Sequence, residues 1–240
     1  MKKILIAITF AFISAGIHAQ DDKVFVRDNN AQPRTVSGSF NGISVSGSID
    51  LFISQSNEET VVVSAADAKY RDRIVTEIKD GMLNIYYNEK GLQWSGDRKL
   101  KAYVSFKTIN ELRASGSSDI FANGVIKSES LELGLSGSSD FKGAVDVQEL
   151  SLHQSGSSDA KISGRAGTLK IDVSGASDVD GYELAADYCD ANASGASDIQ
   201  LTINKELTAR ASGSSDIYYK GSGVIKDVKS SGSSTVKRKE

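Results

Sequence analysis

From about residue 114 to the end of the chain, hydrophobic and polar residues alternate around a pentapeptide that recurs seven times. The pentapeptide reads Ser-Gly-Ser/Ala-Ser-Asp, with Thr in place of Asp in its last copy, and its glycines are Gly116, Gly137, Gly156, Gly175, Gly195, Gly213 and Gly232. Successive glycines lie 18 to 21 residues apart. Because this spacing is regular and the apolar residues keep phase with it, the pattern indicates stacked repeat units rather than a flexible Gly/Ser linker.

Apolar residues keep fixed positions relative to each glycine: four before it, six before it and four after it. For Gly137 these are Leu133, Leu131 and Phe141. The three positions have the same parity, so in an extended chain they share one face. Since a unit of about 19 residues cannot bury that face alone, we predict a right-handed parallel β-helix whose coils stack ~4.8 Å apart, each with two or three short strands. Cys189 falls in an inward column and is predicted to be a buried, inert thiol.

The frame and the helix of leucine-rich repeats, which have a similar period, are missing from these units. Upstream, residues 35–113 are predicted to be a β-rich part in which Ile43, Val45 and Leu51 fit an early, degenerate coil. Further predicted elements are strands at 61–63 and 100–106, a loop or short helix at 65–73, and a hairpin of 74–78 with 82–87 across Asp80-Gly81, a type I′ dipeptide. The pattern leaves open whether this part continues the helix or caps its end.

The first twenty residues have the layout of a secretory signal peptide. Met1-Lys2-Lys3 is a basic start, residues 4–17 are an apolar run, and cleavage is predicted after Ala19. The apolar run would span only ~21 Å as a helix, against a hydrocarbon core of ~30 Å, which argues against a membrane anchor. We therefore predict an exported protein, periplasmic or at the cell surface, with no membrane insertion after cleavage. The predicted segments are a signal peptide (1–19), a flexible segment (20–34), the β-rich part (35–113), the coils (114–236) and a tail (237–240).

Composition and charge exclude several classes of protein. Hydrophobic residues make up 39% of the chain, which is compatible with a packed core, and a single cysteine rules out an internal disulfide framework. The net charge is −3, or −5 once Lys2 and Lys3 are removed, so the basic footprint of a nucleic-acid-binding protein is absent. We expect no nucleic-acid partner, and the oligomeric state stays open.

An outward column of aspartates, three residues after each glycine, is the first candidate binding surface. Its members are Asp119, Asp140, Asp159, Asp178, Asp198 and Asp216. Carboxylates stacked at ~4.8 Å repel by ~0.9 kcal/mol per pair even in water, so they need compensation. Serine hydroxyls and turn amides can donate to them, which we favour; calcium can bridge them, or they can splay into solvent. No resident cofactor or metal site is predicted, with calcium as the alternative. The serine two after each glycine has inward parity, and its burial would require a hydrogen-bonded hydroxyl ladder.

A second outward column, three residues before each glycine, varies from coil to coil. It consists of Arg113, Gly134, His153, Asp172, Asn192, Arg210 and Lys229. Variation on a fixed frame is how solenoids present binding surfaces, although unconstrained solvent faces look the same. His153 neighbours Asp172 on the next coil and Ser155 on its own strand. Because same-face neighbours on a strand lie ~6.8 Å apart and no oxyanion-donor loop is visible, we predict no catalytic residue.

Upstream of the coils, three segments carry a family pattern: Phe40-Asn41-Gly42-Ile43, Gly47-Ser48-Ile49-Asp50-Leu51 and Asp80-Gly81-Met82-Leu83-Asn84-Ile85. Followed by the Ser-Gly coils, they resemble the head GIN domain family of autotransporter adhesins over roughly residues 35 to 230. The resemblance implies a pectin-lyase-like right-handed β-helix, export to the periplasm or surface of a double-membraned bacterium, and adhesion or polysaccharide binding; it supplies no catalytic residues. We therefore expect a non-enzymatic β-helix that binds a glycan or another cell-surface component. The alternatives are a polysaccharide lyase or hydrolase on the same fold and a purely structural envelope protein.

Overall fold

Residue 28, residues 30–91 and residues 98–240 are described by a computed structural model, and nearly all of their secondary structure is β-strand. The predicted signal peptide and its cleavage site lie outside these residues. Within them, no helix has the length and apolar character that crossing a membrane would require.

Sixteen strands form one sheet, and a single short helix interrupts them among the described residues. The upstream elements are β1 (Gln32–Arg34), β2 (Gly42–Val45), β3 (Asp50–Gln55), β4 (Thr60–Ser64), α1 (Ala68–Arg71), β5 (Ile74–Lys79), β6 (Met82–Tyr87), β7 (Lys101–Phe106) and β8 (Glu111–Ala114). The coil strands are β9 (Ile120–Gly137), β10 (Phe141–Gly156), β11 (Asp159–Val173), β12 (Asp178–Ala193), β13 (Asp198–Ala211), β14 (Asp216–Lys220), β15 (Val224–Ser230) and β16 (Thr235–Arg238).

The predicted coils are confirmed as a parallel β-solenoid of about 7 turns with coils of about 19 residues. Equivalent positions stack directly: Leu152 is the Cα partner of Leu133 on the coil before it and of Ile171 on the coil after it. Strands β9 to β13 are 14 to 18 residues long, so each coil is one bent strand rather than the two or three short strands expected. Register shifts at the bends let the hydrogen-bonded ladder continue around the corners.

The inward columns form one continuous core along the solenoid axis. Cys189 lies in it between its Cα partners Leu169 and Leu207, with 6% of its surface exposed. Burial, which disfavours the charged thiolate, raises the pKa of the Cys189 thiol. The predicted buried thiol is therefore confirmed, and its environment makes it a poor nucleophile.

The upstream part both continues the solenoid and caps it. Strands β2 and β3 stack under the first repeat coil, where Ile43 pairs with Leu112 and Leu51 pairs with Ile120, which confirms the early coil. Strands β6 and β7 stack in parallel on the far side of β2 and β3, although they follow them in sequence. Beyond that coil the pairing becomes antiparallel, with β5 on β6, β4 on β7 and β1 on β4. These antiparallel strands close the end of the solenoid.

The local predictions upstream also hold, with two differences at the segment boundaries. Helix α1 falls within the predicted 65–73 segment, and the β5–β6 hairpin turns at Asp80 and Gly81 with φ of 52° and 79°, as a type I′ turn requires. Strand β1, however, lies at the end of the segment predicted to be flexible, and β16 extends two residues beyond the predicted end of the coils. In both places the strand gains backbone partners, from β4 and from β14.

Candidate functional site

Each Ser-Gly turn brings the backbones of successive coils very close together. Gly175 has a φ of +86°, and a Cβ at that position would lie 2.4 Å from the carbonyl oxygen of Gly156. That same oxygen accepts a hydrogen bond of 2.8 Å from the backbone N–H of Ala176. Only glycine meets both conditions, the left-handed backbone and the close approach, so the turn glycines serve the stacking of the coils.

The serine two residues after the glycine is fully buried, as its parity predicts, in the first six of the seven turns, from Ser118 to Ser215. In the last turn Ser234 is half-buried. Ser158 illustrates the bonding: its Oγ accepts from the backbone N–H of Ser139 at 3.4 Å and donates to the carbonyl oxygen of Ser155 at 3.2 Å. Equivalent bonds link other coils, and Ser118 Oγ accepts from Ile49 of the early coil. The predicted hydroxyl ladder is therefore confirmed.

The aspartate column forms a second ladder on the outside of the turn. The backbone N–H of Asp140 donates to Asp119 Oδ1 at 3.1 Å, that of Asp159 to Asp140 Oδ1 at 3.0 Å, and that of Asp178 to Asp159 Oδ1 at 3.3 Å. Backbone amides thus provide the compensation that we favoured, although each donor belongs to the next coil rather than to the same turn.

Partial burial still acts on these carboxyls. Desolvation raises the pKa of Asp119, Asp159 and Asp198, and the neighbouring aspartates add to the rise. Across the described ranges, no three acidic, histidine or cysteine side chains converge as a metal site would require. A role of the column in binding calcium or another ligand stays a prediction.

The variable column lines a groove of about 800 Å³ on the other side of the turn. Its members are consecutive Cα partners, in the order Ser44, Arg113, Gly134, His153, Asp172, Asn192, Arg210 and Lys229. Seven steps of ~4.8 Å give this row a length of ~34 Å along the solenoid axis. The serine before each turn glycine forms a second row in the groove, and small apolar residues such as Ala193 and Ala211 lie between the rows.

The structure thus brings together all the candidate residues of the variable column and leaves the aspartate column outside the groove. Sequence reasoning missed Ser44, which extends the row onto the early coil. The signal that could have found it is its place between Ile43 and Val45, two residues already assigned to inward columns.

Ion pairs balance the cations of the groove. Arg113 contacts Glu111 and lies 3.7 Å from Glu132. At the other end, Arg210 lies 3.2 Å from Asp190 and 3.9 Å from Asp227. The guanidinium groups are therefore held in place with partners, and the groove does not present a strong excess of either charge.

The middle of the groove is a chain of polar side chains from three coils, joined by one hydrogen bond and one close His–Asp contact. His153 Nδ1 lies 3.4 Å from Asp172 Oδ2, and Asn192 Nδ2 donates to Asp172 Oδ1 at 2.8 Å. The expected neighbour Asp172 is thus present, but the serine that contacts the imidazole is Ser151, whose Oγ lies 3.0 Å from His153 Nε2, rather than Ser155. Both serines are two residues from His153, so sequence spacing could not distinguish them.

A second, smaller concavity of about 680 Å³ lies on another face of the coils. Phe52 and Phe121 line one side of it and stack with ring centroids 5.1 Å apart, and Tyr182 and Lys142 also border it. Sequence analysis missed this concavity. Its signal is weak, because the aromatic residues come from coils that are far apart in sequence.

Comparison with known proteins agrees with this architecture. The family model described as "Putative auto-transporter adhesin, head GIN domain" matches residues 39–223. None of the curated proteins matches the chain.

Three solved structures have a similar fold. A protein of Bacteroides fragilis described as a "putative adhesin" has a TM-score of 0.82 at 22% identity, covering 87% of this chain and 96% of its own. A "putative adhesin" of Parabacteroides distasonis has a TM-score of 0.72 at 21% identity, covering 87% and 96%. A "Putative lipid binding protein" of the same species has a TM-score of 0.65 at 22% identity, covering 88% and 97%. At these identities the neighbours establish the fold, and the family model, which spans most of the sequence, establishes that this chain belongs to the head GIN domain family.

Proposed function

We propose that this protein is exported and acts in adhesion, by holding an uncharged, hydroxyl-rich polysaccharide along the groove. The single observation that carries this proposal is the straight row of polar side chains from Ser44 to Lys229, bordered by a row of serines. An extended polymer lying parallel to the axis would meet a new donor or acceptor at every coil.

The charge balance favours a neutral polymer over an acidic one. Arg113 and Arg210 each have acidic partners, and Lys229 lies 3.7 Å from Asp227, so an anionic ligand would have to displace a bonded carboxylate from each cation. Sugar hydroxyls both donate and accept hydrogen bonds. They therefore suit the amide of Asn192 and the carboxylate of Asp172, which are half-buried side chains at the floor of the groove.

Repetition supplies the strength that a single contact lacks. Each exposed hydrogen bond contributes only about 0.5–1.5 kcal/mol, but several rungs engaged by one chain act as linked sites. This mode of binding suits attachment to a surface, which is the activity for which the family and two of the neighbours are named.

The experiment is native gel electrophoresis of residues 20–240 through gels that contain one polysaccharide each, from a panel of neutral and acidic polymers. We expect retardation by at least one neutral polymer that persists in high salt, because hydrogen bonds rather than charges carry the binding. Retardation only by acidic polymers, abolished by salt, would contradict the proposal. Release of shortened products would instead support the lyase or hydrolase, and the absence of both retardation and products would support a structural envelope role.

A further inference from the structure

Two side chains in the middle of the row, His153 and Asp172, form a set with Ser151 of the neighbouring column, in the order nucleophile, base and orienting carboxylate. Ser151 Oγ lies 3.0 Å from His153 Nε2, and His153 Nδ1 lies 3.4 Å from Asp172 Oδ2. This arrangement is recognised by its geometry and not by sequence position. His153 and Asp172 line the groove, with side chains 44% and 37% exposed, and the half-buried Ser151 lies beside the groove, two residues before His153.

The scaffold holds this set in place. His153 and Asp172 are Cα partners on β10 and β11, and Ser151 lies two residues before His153 on the same face of β10. Asp172 is fixed from its other side by the 2.8 Å hydrogen bond from Asn192 Nδ2. A carboxylate facing Nδ1 favours the tautomer with the proton on Nδ1, and in that tautomer Nε2 is the atom that accepts the proton of Ser151.

The coils on either side of Ser151 and His153 offer room for an acyl group and a positive charge near its carbonyl oxygen. On the coil before His153, its Cα partner is Gly134, where an added Cβ would meet only Arg113 Cγ at 3.6 Å, so room is open beside the imidazole. On the coil after Ser151, its Cα partner is Lys170, whose ammonium lies 3.9 Å from Asp172 Oδ2 and must turn from that carboxylate to stabilise a developing oxyanion. Because the backbone amides of these strands are used in the ladder, the stabiliser is a side chain, and we expect slow turnover.

We infer that Ser151, His153 and Asp172 form a hydrolytic site that removes short O-acyl groups, such as acetyl esters, from hydroxyl-bearing polymers. Ser151 Oγ attacks the ester carbonyl carbon and its proton passes to His153 Nε2. The bond from that carbon to the sugar oxygen breaks, and His153 returns the proton to the leaving hydroxyl. Water, deprotonated by His153, then attacks the acyl carbon, the bond from that carbon to Ser151 Oγ breaks, and His153 returns the proton to Oγ. Ester and water thus become alcohol and carboxylic acid with no further reactant.

This inference rests on the proposed function for its polymeric substrate, but its first test does not. Residues 20–240 are treated with a fluorophosphonate and the adduct is located by peptide mass spectrometry. We expect one adduct, on Ser151, that is lost in Ser151→Ala and formed at least about tenfold more slowly in His153→Gln, because general-base assistance is typically worth ~10²–10⁴. The matched control is Ser130→Ala, which removes an exposed serine outside the groove. Absence of an adduct, or an adduct on Ser155 instead, would overturn the assignment.

The second test measures acetate release from p-nitrophenyl acetate and from a water-soluble acetylated xylan, beside the gel retardation described above. We expect wild-type protein to release acetate from both esters and Ser151→Ala to lose this activity, while Ser130→Ala keeps both the activity and the retardation. If the protein is retarded by a neutral polymer but hydrolyses neither ester, the hydrolytic site is overturned and the binding function stands. If it hydrolyses the small ester but no polymer retards it, the proposed function fails and the hydrolytic site stands.

Discussion

The two sides of each Ser-Gly turn are built on one repeat but use their side chains in different ways. On the turn side, the same residue types recur in every coil, and Ser158 and Asp159 bond to the backbone of neighbouring coils. On the groove side, the side chains differ from coil to coil and bond mainly to one another, as His153, Asp172 and Asn192 do. The residues that recur in every coil are therefore the ones whose side chains bond to the backbone of stacked coils. The residues that vary occupy positions that stacking does not use, and these positions can contact a ligand.

Adding one methyl group on each side of the turn should give the largest difference in stability between the two sides. Gly175→Ala forces a left-handed backbone on alanine and places its Cβ 2.4 Å from the Gly156 carbonyl oxygen. We expect a loss of roughly 2–6 kcal/mol in the free energy of unfolding, combining backbone strain with overpacking. Gly134→Ala is the matched control, because its Cβ meets only Arg113 Cγ at 3.6 Å. Urea unfolding of both variants checks this, and equal losses would contradict the distinction.

The serine ladder gives the next largest effect. Ser158→Ala removes the hydroxyl that accepts from the buried N–H of Ser139, and no other partner replaces it. We expect the free energy of unfolding to fall by about 1–3 kcal/mol, the cost of a buried unsatisfied group. Ser155→Ala, in which an exposed hydroxyl is removed three residues away, should change it by less than about 0.5 kcal/mol. Similar values for the two variants in urea unfolding would show that the buried hydroxyls are dispensable.

The aspartate ladder should give a smaller effect of opposite sign. Burial raises the pKa of Asp119, Asp159 and Asp198, so the folded state binds their protons more tightly than the unfolded state does. Each charged carboxyl therefore costs stability at neutral pH, and the cost is relieved as pH falls through the folded pKa toward the unfolded value near ~3.9. Because Asp159 is exposed over most of its surface, we expect Asp159→Asn to raise Tm at pH 7 by at most ~3 °C.

Measuring the Tm of wild type and Asp159→Asn at several pH values supplies the control for that variant. The gain from Asp159→Asn should shrink as the pH is lowered toward 4, when the wild-type carboxyl takes up its proton. A gain that grows in acid would mean that the carboxylate stabilises the fold, contrary to the direction of its pKa shift.

Calcium should give the smallest effect. Asp119, Asp140 and Asp159 each already accept a backbone amide at Oδ1, and each coil contributes one carboxylate to the column. We therefore expect ~5 mM calcium to shift Tm by less than about 1 °C, since only a ligand bound to the native state stabilises it. A saturable rise in Tm of several degrees with calcium would contradict this expectation and support cation bridging between the coils.

Much of the fold followed from the sequence because the repeat places its signals at fixed distances. The inward columns, the buried Ser118 to Ser215 ladder and the β5–β6 hairpin depend on parity and turn chemistry, which are local. The stacking of β6 and β7 beneath β2 and β3 was not predictable, because it reverses the order of coils along the axis and no short-range pattern encodes it.

The sequence predicted which residues of the candidate site stack in one column, but not which of their side chains contact one another. Register alone aligned Arg113, His153, Asp172, Asn192 and Arg210, since equivalent residues of a solenoid must stack. Whether His153 contacts Ser151 or Ser155 depends on the orientation of its imidazole ring. The aromatic concavity at Phe52 and Phe121 depends on two coils that only the fold brings together. Both are side-chain features that spacing does not determine.

The most direct measurement compares two triple variants for Tm and for retardation by the neutral polymer that retains the wild-type protein. One carries His153→Ala, Asp172→Ala and Asn192→Ala in the groove, and the other carries Asp140→Asn, Asp159→Asn and Asp178→Asn in the outer ladder. We expect the groove variant to keep its Tm within ~3 °C and bind at least about tenfold more weakly, and the ladder variant to bind as the wild type does. Undiminished binding by the groove variant, or weakened binding by the ladder variant, would contradict the division between a structural turn and a binding groove.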